Sequence, residues 1–449
     1  MPTTAEEFRA LLRRFQRSQN GNITVLMTLS MIATTLLCGS AIDYGRLVMA
    51  RTELAAAVDS AALQAGTSTI ADTARLDAMA RAMVERNFSQ DIHGEIVDFA
   101  LTRTANEIDL TVTARFETSF MQLAGIDTID LPVTAEVIRS GNNLEVSLVL
   151  DTTGSMRGSK LRSLKTAATE FVNTVVWTNQ SQFYSKVALV PYSMGVNLGS
   201  RAAAARGNVS SGTCSTPGCQ SYRFRNARGA NRTLSISNCV SERTGTHAFK
   251  DTAASSAPVG RNYASPNNPC LDAELMPLTS NKQDLIDAID DLDATGSTAG
   301  QIGIAWGWYA LSRDFGMWSG SSTPAAYNAE KVSKIAVIMT DGEFNTGYCN
   351  GVIARNSGNG SGASDDKIDC NATNGSATTQ AGQLCTAMKA KDIEVYTIGF
   401  DIEDDETAIE IMTDCASSND HAYLAASDTE LQAAFREIGR KVTQLRISK

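Results

Sequence analysis

Residues 23–42 run for twenty positions without a charge. A helix of that length rises about 30 Å, enough to cross the hydrocarbon core of a bilayer. From Asp43 to about Gly66 the helix is expected to continue, because Leu47, Arg51, Leu54, Val58, Ala61 and Ala65 recur at alternating spacings of four and three. This small, Ala-rich stripe suits close packing, either on its own domain or against a filament or partner. From Gly94 to Ser140 the period changes to two. Ile108, Leu110, Val112 and Ala114 alternate with polar residues, as do Leu131, Val133, Ala135 and Val137, which predicts an antiparallel sheet.

From Asn142 onward strands alternate with helices. Apolar runs at 144–150, 187–190, 334–339 and 393–400 predict buried strands, with a short one at 422–424. The stripe Leu161, Leu164, Ala168, Phe171, Val172 and Val175 marks a helix, and further helices are expected around 285–292, 302–311, 384–389, 409–412 and 431–442. That alternation predicts an α/β fold: a doubly wound, mainly parallel sheet covered on both faces. Two segments interrupt it. Residues 200–270 are rich in Ser, Gly, Asn and Arg, and residues 345–379 in Gly, Asn and Ser. Both read as long excursions from the rim of the sheet, held by disulfides. The expected domains are a cytoplasmic N-terminus (1–20), a transmembrane helix (21–44), a helix-plus-sheet module (45–140) and the α/β domain (142–449).

Composition narrows the classes. At 449 residues and 43% hydrophobic content the chain can build two or three cores and is not globally disordered. A net charge of −10 disfavours a dedicated nucleic-acid binder, and a mean hydropathy of −0.13 with one long apolar run excludes a polytopic transporter. Arg9, Arg13, Arg14 and Arg17 outweigh Glu6 and Glu7 before the run, which predicts a cytoplasmic N-terminus with the rest of the chain across the membrane. A cleaved signal peptide, with Gly39-Ser40-Ala41 as its small-residue site, is the rival reading. The apolar run exceeds the usual h-region of about 7–15 residues, and helical sequence follows it. Cys38 reads as a small apolar residue inside the span, since Leu36-Leu37 precede it where a lipidation site has small residues.

Eight further cysteines lie after the anchor, an even set that in an exported segment reads as up to four disulfides among 105 connectivities. Proximity suggests Cys214–Cys219, Cys239–Cys270, Cys349–Cys370 and Cys385–Cys415. Structural zinc is disfavoured, with no Cys-x2-Cys pair and only His93, His247 and His421 available.

The sharpest chemical signal is Asp151-Thr152-Thr153-Gly154-Ser155, directly after the strand 144–150. In open α/β sheets ligands bind at the carboxyl ends of strands. Thr340-Asp341-Gly342 ends another buried strand, and Gly296-Ser297-Thr298 precedes a helix. The three pieces bring carboxylates and hydroxyls, an all-oxygen set suited to a hard cation. The alternative is that Asp151 and Ser155 merely cap a helix.

These residues resemble the metal-ion-dependent adhesion site of von Willebrand factor A domains. Its pattern is Asp-x-(Ser/Thr)-x-Ser, a later Thr and a later Asp in a Thr-Asp-Gly turn. The resemblance implies a von Willebrand A-type domain. Ser155 and one of Thr153 or Thr298 would ligate Mg²⁺ (or Mn²⁺ or Ca²⁺) directly, with Asp151 and Asp341 holding metal or its waters from behind. It also implies a protein partner offering a carboxylate. Thr153 stands where the pattern often has Ser, and Ala299-Gly300 follows Thr298.

A second resemblance lies upstream. Gly21-Asn22 opening an apolar helix, then Ala41-Ile42-Asp43-Tyr44-Gly45-Arg46 and residues 55–63, is similar to the TadG-like proteins of tight-adherence (Flp-type) pilus systems. Such proteins join an anchor and a pilin-like module to a von Willebrand A domain. The chain departs from prepilin-like relatives in having no acidic residue between Gly21 and Ile42.

Residues 200–270 carry nine basic residues against Glu242 and Asp251, +7 in a chain of −10, which leaves −17 elsewhere. This contrast could steer an acidic partner or hold an anionic cell-wall polymer, or it could simply be a solvated loop. No phosphate loop, His-Glu-x2-His or Gly-x-Ser-x-Gly elbow occurs. The two resemblances imply a non-enzymatic pilus assembly or adhesion factor of the inner membrane, with its bulk in the periplasm. A minor pilin-like subunit displaying the A domain is the alternative, and a metal-dependent hydrolase is a remote third.

Overall fold

The computed structural model describes residues 21–444 except 69, 71, 90–93, 104–106, 139–141, 179 and 181–182. The cytoplasmic segment expected at residues 1–20 and His93 lie outside the described residues. The chain divides into two compact units, Met1–Arg139 and Ser140–Lys449.

The first unit is built on α1 (Gly21–Thr67), an unbroken helix of 47 residues, about 70 Å long. Its first half exposes apolar side chains, among them Ile23, Leu26, Met27, Leu29, Met31 and Leu37. In its second half Leu54, Val58, Ala61 and Ala65 are buried, whereas Arg51 is exposed. The stripe lies on the unit's own sheet, where Leu54, Ala57, Val58 and Ala61 join Leu110, Val112 and Ala114 in one core. A second helix, α2 (Thr73–Asn87), is an element that the two-period reading passes over. Asp72 Oδ1 caps it by accepting from Arg75 N (3.0 Å), and Leu76, Ala80 and Val84 form its buried face. The sheet β1 (Glu95–Arg103), β2 (Glu107–Glu117) and β3 (Thr128–Ile138) is an antiparallel meander. A long helix on such a meander is the α+β module that the periodicity predicts.

The second unit follows the expected alternation: β4 (Asn143–Asp151), α3 (Ser159–Val175), β5 (Ser185–Tyr192), β6 (Met276–Thr279), α4 (Lys282–Asp290), α5 (Gly300–Leu311), β7 (Val332–Thr340), α6 (Ala377–Lys389), β8 (Glu394–Phe400), α7 (Glu406–Cys415), β9 (Ala422–Ala425) and α8 (Asp428–Gln444). The sheet order is β6-β5-β4-β7-β8-β9, parallel throughout except for the edge strand β6. Strand β6, Met-Pro-Leu-Thr, is too short to stand out in the sequence. On one face Leu144, Val146, Leu148 and Leu150 pack under Leu164, Phe171 and Phe435 of α3 and α8. On the other, Val149, Val190 and Ile338 pack against Ile302, Trp306, Leu384 and Ile411 of α5, α6 and α7. Burial on both faces is why these strands read as nearly unbroken apolar runs. One ion pair breaks the pattern: Lys334 Nζ lies 2.5 Å from Glu145 Oε2, both residues buried and paired across β4 and β7.

The two insertions are not loose excursions. Residues 200–270 fold into strands Ser210–Cys214, Cys219–Arg225, Asn231–Ser241 and Gly260–Tyr263. Tyr222, Phe224, Leu234 and Tyr263 share a small core with Val352, Ala354 and Ile368 of the second insertion. Backbone bonds from Ala227 N to Lys367 O and from Asp369 N to Arg225 O, both 2.9 Å, join them. Neither segment carries enough apolar surface alone, so local composition reads as loop while the pair closes a core. The four disulfides are Cys214–Cys219, Cys239–Cys270, Cys349–Cys370 and Cys385–Cys415, the last linking α6 to α7. Much of the basic charge is used internally. Arg228 and Arg232 pair with Asp365 and Asp366, Arg206 and Arg243 are buried and Arg261 is half-buried, whereas Arg201, Arg223, Arg225, Arg228 and Lys250 are exposed.

Glu242 ties this insertion to α5, α6 and the second insertion. Its Oε1 accepts from Gln301 Nε2 (2.9 Å), Gln380 Nε2 (3.0 Å) and Tyr348 N (3.2 Å), while Oε2 has no partner among the described residues. Burial pushes its carboxyl from 4.5 up to about 7. The folded state therefore holds this proton where the unfolded chain has released it, so stability falls as pH rises from about 4.5 through 7. Glu242→Gln is expected to stabilise the protein by on the order of 2 kcal/mol at pH 8 and hardly at pH 4.5. Thermal unfolding of both forms at the two pH values checks this; an equal shift at both would sink it.

Candidate metal centre

Strand order reverses at β4: the chain leaves it for β5 on one side and returns to β7 on the other. The carboxyl ends of β4 and β7 thus form the crevice where open α/β sheets bind ligands. Pairing of Met339 with Leu150 brings Thr340 beside Asp151. After Asp151 the chain turns through the short 3-10 segment Gly154–Met156, pinned by Thr152 Oγ1 donating to Tyr192 O (3.0 Å).

The predicted residues converge in part. Thr153 Oγ1 and Ser155 Oγ are 2.9 Å apart, and Ser155 Oγ donates to Asp341 Oδ1 at 2.6 Å. Asp151 sits behind them, fully buried. Its Oδ1 accepts from Thr153 N (2.9 Å), and its Oδ2 from Thr340 Oγ1 (2.8 Å) and Tyr192 OH (3.1 Å). Thr298 shares no hydrogen bond with these four side chains among the described residues. Its loop is nonetheless stitched to theirs, with Gly154 N bonded to Gly296 O and Thr295 N to Thr152 O, both 2.9 Å.

Support for Thr298 comes from side chains with no sequence signal of their own. Asn345 Oδ1 accepts from Thr298 N (3.2 Å), and Asn345 N donates back to Thr298 O (2.9 Å). Ser297 and Asn268 exchange two bonds, Asn268 Nδ2 to Ser297 Oγ at 2.7 Å and Ser297 N to Asn268 Oδ1 at 3.0 Å. Both asparagines lie in the insertions, so the excursions brace the third loop of the site. Gly300 makes room: a Cβ there would lie 2.1 Å from the Phe344 ring. Lys160, in the first turn of α3, is a further residue at the site with no sequence signal of its own. Its Nζ lies 3.3 Å from Asp341 Oδ2 and 2.8 Å from Asp401 Oδ2.

The electrostatics suit a cation. Burial first, and the charge of Asp341 second, push the Asp151 carboxyl up to about 6 despite its hydrogen bonds. Two neighbouring acids that resist joint ionisation are relieved by positive charge between them. Neighbouring ligands on a magnesium shell are about 3 Å apart, given bonds of about 2.0–2.1 Å in octahedral geometry. The separations of 2.6 and 2.9 Å fall near that spacing. No group of three or more His, Cys, Asp or Glu side chains able to hold a metal occurs among the described residues, and the oxygens that meet here are the Thr153 and Ser155 hydroxyls beside the Asp341 carboxylate.

Comparison with known proteins adds a family for one segment. Residues 21–75 match the Tad family, described as Flp pilus-assembly TadE/G-like. No curated protein matches the chain. Among solved structures the chain is similar to the von Willebrand factor domain of the type V pili tip protein Mfa5 from Porphyromonas gingivalis. The identity is 13% and the TM-score 0.40, over 69% of this chain and 97% of that one. It is also similar to the pilus adhesin SpaC from Lactobacillus rhamnosus GG, with 14% identity, a TM-score of 0.36, and 78% and 34% of the two chains covered. For the pilus adhesin RrgA from Streptococcus pneumoniae the values are 11%, 0.37, 77% and 49%. The chain thus spans about a third of SpaC and half of RrgA. Residues 21–75 are thus similar to the TadE/G-like Flp pilus-assembly family, and the chain continues into an α/β domain with a six-stranded, mainly parallel sheet.

Proposed function

We propose that this protein is a membrane-anchored pilus assembly or adhesion factor that captures a carboxylate-bearing protein partner through a divalent metal. The convergence of Thr153, Ser155 and Asp341 oxygens in front of buried Asp151 carries this reading. Ser155 and one of Thr153 or Thr298 would ligate Mg²⁺, Mn²⁺ or Ca²⁺, with Asp151 and Asp341 holding the ion or its waters. Such an ion supplies an electrophilic seat for one more oxygen. Neutral hydroxyls quench less of its charge than carboxylates do, so a partner's Asp or Glu completes the shell favourably. The side chains that touch Asp151 and Asp341 are hydroxyls and an already paired lysine, which offers no free general base. That favours binding over catalysis.

Residues 23–42 would hold the chain in the inner membrane, with the bulk in the periplasm. A second reading, a minor pilin-like subunit displaying the A domain, draws on the long helix lying on its own meander. A mature N-terminus mapped inside residues 21–26 would favour it. To test the main reading, periplasmic extract is passed over the detergent-solubilised full chain, wild type and Asp151→Ala, in Mg²⁺ and in EDTA. A partner retained only by wild type in Mg²⁺ is expected. Equal retention in all four arms would defeat the metal-bridge reading.

A further inference from the structure

We propose that the turn at residues 120–126 dips into the bilayer beside α1, giving the protein a second, shallow membrane contact. The inference rests on reading residues 23–42 as the membrane span, and goes beyond it by assigning lipid contact to a segment far away in sequence.

The turn is fastened to the end of that span. Asp43, one residue past the apolar run, is buried, and its carboxylate accepts from Ser119 N (3.1 Å), Phe120 N (2.7 Å) and Met121 N (2.8 Å). Arg46 Nη1 donates to Ser119 Oγ (2.8 Å). Phe120 closes on Gly39 so tightly that a Cβ there would lie 2.5 Å from its ring. On the helix, Gly39 and Asp43 are buried and Leu36 and Ser40 half-buried, whereas Leu37, Cys38, Ala41 and Ile42 are exposed. Positions 36, 39, 40 and 43 form one helical face, and the turn covers it.

Depth follows from the helix rise. From residue 36 to residue 42 is about 9 Å, all of it inside the apolar run. If that run fills the hydrocarbon core, whatever covers Leu36 to Ser40 shares its depth, the 5–10 Å zone where amphipathic segments settle. The turn is built for that environment. Residues 119–126, Ser-Phe-Met-Gln-Leu-Ala-Gly-Ile, carry no charge, and Leu123 and Ile126 point outward, 70% and 47% exposed. Its polar backbone is largely occupied. Beyond the three N–H groups taken by Asp43, Leu123 N bonds to Phe120 O, Gly125 N to Gln122 O and Ile126 N to Met121 O, at 3.0–3.1 Å. Gln122 Nε2 caps Ser119 O (2.8 Å), and Thr118 Oγ1 donates to Ile126 O (2.5 Å). A segment entering lipid must satisfy its own amides in this way. The same contacts explain how a carboxylate sits at the membrane boundary: three amides solvate it.

The test uses the full chain in phosphatidylcholine nanodiscs. An environment-sensitive fluorophore is placed on Leu123→Cys in a Cys38→Ala background, and separately on native Cys38. Leu123 is exposed, so its replacement leaves packing intact. Both probes are expected to be quenched by lipids brominated on the acyl chain and shielded from aqueous iodide, with position 123 favouring bromines nearest the headgroup. A probe at 123 that is open to iodide and blind to bromine, with Cys38 still quenched, overturns the inference and leaves the anchor standing. If neither probe senses bromine, the anchor reading itself fails. A probe at 123 shielded from both quenchers means that a protein covers the turn, which also overturns it.

Discussion

Mg²⁺ is expected to raise the melting temperature of the wild type, and Asp151→Asn is expected to abolish that rise. At one hundred times its dissociation constant a ligand of the native state contributes about 2.7 kcal/mol, and the variant should gain none of it. The sign without metal is the opposite. Burial and Asp341 push the Asp151 carboxyl from 3.8 up to about 6, so the metal-free fold loses stability as pH rises through that window. An amide of the same shape carries no such penalty, and in EDTA at pH 8 it should leave the protein at least as stable as wild type. The Mg²⁺ gain of the wild type should shrink as pH drops below about 6, where a proton competes for the same carboxylate. Thermal unfolding at pH 5 and pH 8, in Mg²⁺ and in EDTA, resolves these effects. An unchanged Mg²⁺ response in the variant would remove Asp151 from the metal reading.

Lys334→Met is expected to destabilise the second unit by about 3–5 kcal/mol, because it strands a buried carboxylate. Glu145 Oε1 also accepts from Tyr184 OH (3.1 Å) and Ala325 N (2.9 Å), and Lys334 Nζ donates to Leu311 O (2.9 Å). The pair therefore clasps the amino ends of the two central strands to the segment after α5. Removing both charges should be far gentler. In Glu145→Gln with Lys334→Met, the amide oxygen still accepts from Ala325 N, and most of the loss should return. Denaturant midpoints of the two single variants and the double variant complete the cycle. Additive losses would mean that the two charges do not depend on each other.

The legible part of the fold is the part whose energetics are local. Leu161, Leu164, Phe171 and Val175 repeat on a helical period because one face of α3 lies on the sheet. Ile108, Leu110, Val112 and Ala114 alternate because one face of β2 lies on α1. The insertions were opaque for the converse reason. Tyr222 and Phe224 find their apolar partners at Val352 and Ile368, more than a hundred residues away, and no window of sequence contains both. Strand β6 is held by pairing with β5, and its four residues carry no period of their own.

The candidate site divides in the same way. Asp151, Thr153, Ser155 and Asp341 were legible because each ends a recognisable strand or opens the turn after it, and strand ends of a parallel sheet meet at one edge. Lys160, Asn268 and Asn345 were not, since lysines and asparagines in helix starts and polar loops are ordinary in any sequence.

By itself the sequence determined the apolar span, the periods of helix and strand, the oxygen chemistry at the strand ends and the supply of cysteines. All of these are written into neighbouring residues. Only the tertiary structure decided that two polar insertions share a core and brace Thr298. It alone set Asp43 as the receptor for a turn at residues 119–121, and made the Glu145–Lys334 pair an internal clasp. The physical reason is common to all three: a buried polar group or a half-covered apolar face must find its complement somewhere in the chain, and closure of the fold, not spacing, chooses where.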